Sequence, residues 1–419
     1  MRTAVIVLGD LGRSPRMQYH AASLAEAGHD VDLIGLEGAP PLPAIANHPR
    51  VTCHRLPDHA FKGRAMGGIK RFVAGSIARA VGQARHLFFM LMRLPKSDVI
   101  LVQNPPAVPT LAVAWLVARL RGARLVIDWH NLSHTVAAIR LGERHRAVKA
   151  LSRSESRWAR RADGHLAVSK ALAEWLSAHY GIRAAVVYDR PPAAFSRTLP
   201  SAAVALWTRL ASEAGLGAER PPTVVCPTSW TPDEDFDLLL EALERADRQL
   251  TRKRGLPAVP TPGSPIVPVL AVILTGRGPL RESFEARMAR RTFTAIAVRT
   301  HWLEPADYPV LIGMADLGLC LHQSSSGLDL PMKVADFRGA GIPVAAFDYA
   351  PVLGEVITNG HEGMTFRDPG DLANVLVTVA SGTIDPASAL GRSKAWLFEN
   401  PAERWDGQWQ TAALPVLLG

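Results

Sequence analysis

The stretch AVIVLGDLGRSPRMQYHAASLAEAG, residues 4–28, decides the fold. Its first six residues are a short apolar, β-rich run ended by Gly9, the pattern of a strand buried on both faces of a parallel sheet. Residues 16–28 then take helical spacing and close on Gly28. Strand, glycine turn and helix in that order open a βαβ unit.

The same alternation continues outward. VDLIGL (31–36), VTCHRL (51–56), DVILVQ (98–103), RLVIDWH (124–130) and HLAVS (165–169) read as strands. Helices are expected over 69–93, 109–120, 147–161 and 170–179, and VVYDRPPAAF closes the block in a turn-rich segment. A second block starts at TVVCPTS (223–229), with a helix at 236–250, the strand VLAVILTG (269–276) and a helix at 279–290. AIAVRTHW, LGLCLH, IPVAAFD and EGMTFRD supply its later strands. GLPAVPTPGSPIVP (255–268) reads as a proline-rich surface loop. Two blocks of alternating β and α predict an α/β protein of two doubly wound, Rossmann-like domains facing across a cleft. Ligands of such sheets bind at the carboxyl ends of the strands.

Composition agrees with this class. The chain has 419 residues, more than one ordinary core holds, with 48% hydrophobic and 20% charged residues. Cys53, Cys226 and Cys320 are far apart and lack metal or redox spacing, so they read as reduced core thiols of a cytoplasmic protein. A net charge of +9 favours anionic partners. No nucleic-acid-binding motif is present, and nucleic acid is not expected as a partner. The N-terminal apolar run is too short for a signal peptide. The apolar stretch 105–127 is interrupted by Arg119, Arg121 and Arg124, short of the roughly 20 residues a spanning helix needs.

The strand-end loops carry the candidate chemistry. Gly9 and Gly12 allow close approach of backbone to a ligand, and Arg13 adds a charge-assisted donor at a helix start. The plainer alternative is a tight turn with a surface arginine. Asp128 and His130 sit two apart at the end of a strand and point the same way. Asp128 could act as a general base, with His130 holding a hydroxyl. His134 and His145 read as surface histidines in loops. In TGRGPLRESFE (275–285), Gly276 and Gly278 permit close approach, and Arg277 or Arg281 could meet a phosphate.

SSSGLDLPMKVADFRGAGIPV (324–344) is the fullest case. Pro331 suits a helix's first turn. The backbone donors of Ser325, Ser326, Gly327, Leu328, Asp329 and Leu330, with the helix dipole, would face an anion. Lys333 opposes that dipole unless an anion is bound. Asp336 lies one turn on and could accept two ribose hydroxyls. The bland alternative is a capped helix with an exposed Lys–Asp pair. Phosphate donors and a ribose acceptor suggest a nucleotide diphosphate, and a two-domain cleft a nucleotide-sugar transferase; composition and spacing alone stop at a two-domain enzyme acting on a phosphorylated ligand.

Eight segments, in order, carry a resemblance to a known family: VLGDLGRSPRMQYH, LVQNPPAVP, LVIDWHN, VVYDRPP, TSWTPDEDFDLLLEAL, LTGRGPL, WLEPADYPVLIGMADLGLCLHQSSSGLDLPMKVADF and GIPV. The sequence resembles the chitobiosyldiphosphodolichol β-mannosyltransferases. That resemblance implies a GT-B fold, with residues 1–195 as acceptor domain, 220–395 as donor domain, 196–219 as linker, and a helix over about 396–419 crossing back to the first domain. It implies GDP-mannose as donor, inversion at the anomeric carbon, and a chitobiose acceptor on a polyprenyl diphosphate at the cytosolic membrane face. Lys333 and the SSSGLDLP loop would hold the diphosphate, Asp336 the ribose, and Trp302 and Leu303 the base. Asp128 would be the catalytic base, with Glu155 or Asp10 as substitutes. No cofactor is implied, and any divalent-metal effect would be indirect. Arg338 and LSHT (132–135) depart from the family pattern, and the membrane-spanning anchor usual in eukaryotic members is not expected here. Segment 68–94 mixes Phe, Leu and Met with Arg71, Arg79, Arg85 and Arg93, and reads equally as a membrane-surface helix or a domain helix with a basic face. The competing activities are a nucleotide-sugar epimerase of the same fold, a glycosyltransferase with another donor, and a non-catalytic nucleotide-sugar-binding subunit.

Overall fold

The run that opens the sequence forms β1, Arg2–Asp10, whose residues Ala4–Leu8 are all buried. Parallel neighbours flank it on both sides, Thr3 opposite Val31 on one edge and Val99 on the other. A strand in that position has no face toward water, which is why it is apolar without alternation. The computed structural model describes residues 1–57, 69–214, 216–256, 268–382 and 385–419, with backbone alone for 69–77 and 214.

Two units divide the chain: Met1–Asp189 with Asp406–Gly419, and Arg190–Trp405. In the first, β1 is joined by β2 Asp30–Leu36, β3 Val51–Leu56, β4 Val99–Asn104, β5 Arg124–Trp129, β6 Gly164–Ala167 and β7 Ala185–Val186. The sheet order is β3-β2-β1-β4-β5-β6-β7. Up to Asp189 its helices are α1 Pro15–Glu26, α2 Pro43–Ala46, α3 Ile69–Arg93, α4 Thr110–Arg121, α5 Ser133–Leu141, α6 Arg146–Ala159 and α7 Lys170–Tyr180. The order reverses between β1 and β4, so the loops leaving these two strands open at the switch point. Helix α1 starts at Pro15 and buries Met17, Ala21 and Leu24, but also Arg16, Gln18 and His20. Polar side chains on a core-facing stripe need partners.

The second unit has α8 Pro200–Ala214, β8 Thr223–Pro227, α9 Phe236–Arg254, β9 Leu270–Thr275, α10 Arg281–Met288, β10 Ile296–His301, α11 Asp307–Met314, β11 Leu317–Cys320, α12 Met332–Gly339, β12 Val344–Phe347, β13 Gly363–Phe366, α13 Pro369–Ala380 and α14 Ala389–Glu399. Its parallel sheet runs β10-β9-β8-β11-β12-β13, again reversing beside the first strand of the block. One face packs on Leu239, Leu243, Phe284 and Leu376; the other on Trp207, Leu210, Leu311 and Phe337. Gly318 is dictated by this second core, since a Cβ there would stand 2.5 Å from the Phe337 ring.

Some elements differ from the sequence reading. Residues 196–219, expected as linker, contain α8, whose Leu206, Trp207 and Leu210 join the second unit's core. His134 lies in α5 rather than a loop, and His145 caps α6 through its own ring. The return to the first unit begins at Asp406, and α14 stays with the second unit. There Arg338 donates to Asn400 O at 2.7 Å and stacks on Trp396, so this departure from the family pattern ties α12 to the segment after α14. Gly68, the Arg71 side chain and residues 257–267 of the proline-rich loop lie outside the described residues. No helix of the described residues is long and apolar enough to cross a membrane.

Candidate functional site

In the first unit the chemistry gathers at the tips of β1, β4 and β5. Arg16 enters from α1 and grips Asp128 with two parallel bonds, Nε to Oδ2 at 2.8 Å and a terminal nitrogen to Oδ1 at 2.9 Å. Its third nitrogen donates to Val187 O at 2.8 Å and Asp189 Oδ1 at 3.0 Å. His20, one turn on, brings Nε2 to 3.2 Å from Asp128 Oδ2. Trp409 donates its indole N–H to His20 Nδ1 at 2.9 Å. An accepting Nδ1 leaves the proton on Nε2, the nitrogen nearer Asp128. His130 Nε2 approaches the same oxygen at 2.8 Å.

This bears on one expectation. Asp128 is fully buried, and its two oxygens are taken by Arg16, His20 and His130. Burial alone would raise its pKa, but Arg16 and then His130 hold the carboxyl well below the usual range. It is a fixed anion, unsuited to receive a proton from an acceptor. His130, about one-fifth exposed, is the member of the cluster with access to solvent. The substitutes fare no better. Glu155 is buried under Asn104 Nδ2, Ser133 N and His134 Nδ1, each at 2.8 Å, and Tyr180 Oη at 3.1 Å. Asp10 accepts from Gly12 N and Ala39 N, both at 3.0 Å.

The glycine turns are also explained by the chain itself. A Cβ on Gly12 would lie 2.4 Å from Pro40 O, so its bareness serves the approach of segment 39–40 rather than a ligand. Gly9 is not crowded, its nearest contact being Val7 at 3.8 Å. Arg13 is exposed beside Asp10, 3.8 Å away. In the second unit, Cβ atoms on Gly276 and Gly278 would collide with Thr228 O and Ser229 O at 1.8 and 1.9 Å, and Gly276 holds φ of 137°. These glycines let two strand-end loops cross.

The tips of β8 and β11 carry the second cluster. Glu234, buried, accepts from Thr228 Oγ1, Ser229 N and Lys333 Nζ. Lys333 was expected to await an external anion; Glu234 already supplies one, and although burial opposes it, this carboxylate raises the lysine's pKa. Amides of Ser326, Gly327 and Leu328 in the loop are likewise engaged. Ser324 Oγ accepts from Ser326 N at 3.2 Å and Gly327 N at 2.8 Å, and Ser326 Oγ accepts from Leu328 N at 3.2 Å. Both hydroxyls turn to Asp329. Ser325 lies half-buried within this loop. His322 stands between Asp233 at 3.3 Å and Asp329 at 3.2 Å. Burial opposes its charge, but the two carboxylates prevail and push the imidazole up to about 9. Asp336 accepts from Tyr308 Oη at 3.0 Å. At the β10 tip, Arg277 lies 3.8 Å over the exposed Trp302 ring, a cation–π pair. Leu303 and Leu330 are buried.

The structure thus brings Asp128 to His130, Lys333 to the β8 loop, and Arg277 to Trp302. Sequence reading missed Arg16, His20, Trp409, Glu234 and His322. A signal existed for two of them: Arg16 and His20 share a face of α1 with its apolar stripe. The pairings of Glu234 with Lys333 and of Trp409 with His20 are contacts distant in sequence.

Two parallel doubly wound units, each with charged side chains gathered at its switch point, are the fold shared with solved glycosyltransferases of the GT-B class. A glycosyl transferase 4-like domain model matches residues 12–188. Chitobiosyldiphosphodolichol beta-mannosyltransferase of Mus musculus is 36% identical, over 99% of this chain and 88% of its own. UDP-glycosyltransferase TURAN of Arabidopsis thaliana is 37% identical, over 99% and 97%. Among solved structures, Anabaena HepE in complex with UDP and glucose superposes with a TM-score of 0.64 at 15% identity, over 98% and 97% of the two chains. The chain belongs to the chitobiosyldiphosphodolichol β-mannosyltransferase family.

Proposed function

We propose that the protein transfers mannose from GDP-mannose to a chitobiose unit on a polyprenyl diphosphate, with inversion, as a peripheral protein at the cytosolic membrane face. The observation that carries this reading is the full-length relationship to β-mannosyltransferases. The two clusters supply suitable chemistry. His130 Nε2–H donates to Asp128, leaving Nδ1 to take the proton of the acceptor hydroxyl. Asp128 orients the ring and stabilises the imidazolium that forms. The acceptor oxygen bonds to the anomeric carbon from the face opposite the nucleotide. The bond from that carbon to the diphosphate oxygen breaks, and GDP leaves with the electron pair. Lys333, exchanging part of its hold on Glu234 for the diphosphate, and the N-terminus of α12 meet the developing charge. Asp336 accepts from the ribose. Arg277 and Trp302 flank the base.

A second donor is favoured by one finding: a relative of similar identity is named a UDP-glycosyltransferase. The deciding experiment incubates the protein with a C20-isoprenyl diphosphate chitobioside and either GDP-mannose or UDP-sugars. We expect a β-linked mannosyl product from GDP-mannose alone, unaffected by EDTA. An α-linkage, transfer from UDP-glucose instead, or free isomerised nucleotide sugar would each overturn the reading.

A further inference from the structure

A cavity of about 690 Å³ lies in the first unit, between α5, α6 and the Pro105–Val108 turn. Its lining is almost wholly apolar, including Val108, Val136, Ala137 and Leu151, with Arg140 among its few polar residues. The volume is that of a ligand pocket. Val136 and Val108 are also more than two-fifths exposed, so the apolar surface continues out of the cavity. Helix α6 beside it carries Arg146, Lys149, Arg153 and Arg157 outward, while its one acid, Glu155, is turned into the core. An apolar hole next to an exclusively cationic helix face matches an occupant with a long hydrocarbon chain and an anionic head.

Its position narrows the occupant. Ser133, in the cavity wall, accepts from Ala107 N at 2.7 Å and donates to Asn104 Oδ1 at 3.2 Å. Asn104 O in turn accepts from His130 N at 2.8 Å. The inner wall and the proposed base therefore stand on the same two strand-end loops. We propose that this cavity binds the isoprenyl chain of the sugar acceptor, the diphosphate lying toward Arg140 and the basic face of α6, and the sugar toward His130. This rests on the acceptor reading above and adds where the lipid is held.

The test uses the full chain and two readouts. Binding of geranylgeranyl diphosphate is followed by tryptophan quenching, with Trp158 on α6 as a nearby reporter. Saturable binding is expected, weakened at least tenfold by Ala137→Trp and by Ala150→Trp, which fill the cavity from α5 and α6, with GDP affinity unchanged. Two variants on separate helices keep the test decisive if one fails to fold. In the second readout, kcat/KM for a C20-isoprenyl chitobioside should exceed that for a C5 analogue by tenfold or more, since each buried methylene is worth roughly fourfold. That preference should vanish in Ala137→Trp. Failure of the wild-type chain to bind the probe, or equal binding by the filled variants, would overturn the proposal. Intact, cavity-dependent binding without mannosyl transfer would uphold the cavity and remove the proposed reaction instead.

Discussion

Arg16 is the residue on which the first site turns. Its guanidinium is buried and opposes two carboxylates, and only a planar fork reaches Asp128 with two bonds and Val187 with a third. Removing the Asp128 charge leaves the buried cation only Asp189 as a counter-ion and breaks the two-bond fork. Asp128→Asn should therefore cost about 3–5 kcal/mol by urea denaturation, beyond any effect on rate. His130→Ala removes no such burial. It should lower kcat by about 10²–10⁴ while leaving the denaturation midpoint and GDP affinity nearly unchanged. Lost folding in the histidine variant, or full activity, would refute the assignment. The pair at 128 and 130 was legible in the sequence because alternate strand residues share a face. That Asp128 is already held by a cation was not, since that depends on Arg16, more than a hundred positions earlier.

At the scale of elements, the loop between β11 and α12 is a network of carboxylates, serines and one imidazole. His322 is raised to about 9 by Asp233 and Asp329 against its burial, above its free value of about 6.5. Such a group lends stability that is whole below pH 6.5 and is lost as pH rises through 9, on the order of 3 kcal/mol. The urea midpoint of the wild type should fall across that window. His322→Gln should be less stable at pH 6 and flat between pH 6.5 and 9; an unchanged slope would exclude the His322 network. Lys333→Ala should weaken GDP tenfold to a hundredfold in calorimetry, with Lys333→Arg recovering part of the loss. The strands and helices here were readable from periodicity, and SSSGLDLP from its small residues and proline. The direction of its amides was not, because serine hydroxyls compete with any ligand for nearby N–H groups. Helix α8 escaped because it lies where a connection was expected, although Leu206, Trp207 and Leu210 have helical spacing.

At the scale of the molecule, the chain leaves the first unit at Asp189 and re-enters it at Asp406. The returning segment is structural as well as electronic. Trp409, Ala413 and Leu417 are buried, and Val416 lies so near β6 that a Cβ on Gly164 would stand 2.8 Å from it. Trp409→Ala should cost about 3–5 kcal/mol by denaturation. Trp409→Phe keeps most of the packing but removes the donor to His20 Nδ1. Its expected signature is a displaced pH–kcat profile with GDP affinity unchanged, since Asp128 then faces an imidazole free to exchange tautomers. Synthesis runs from the amino end, and α8 through α14 are made between the two visits. The half of the protein that leaves the ribosome first is therefore the half finished last, waiting for an indole made after the whole of its neighbour.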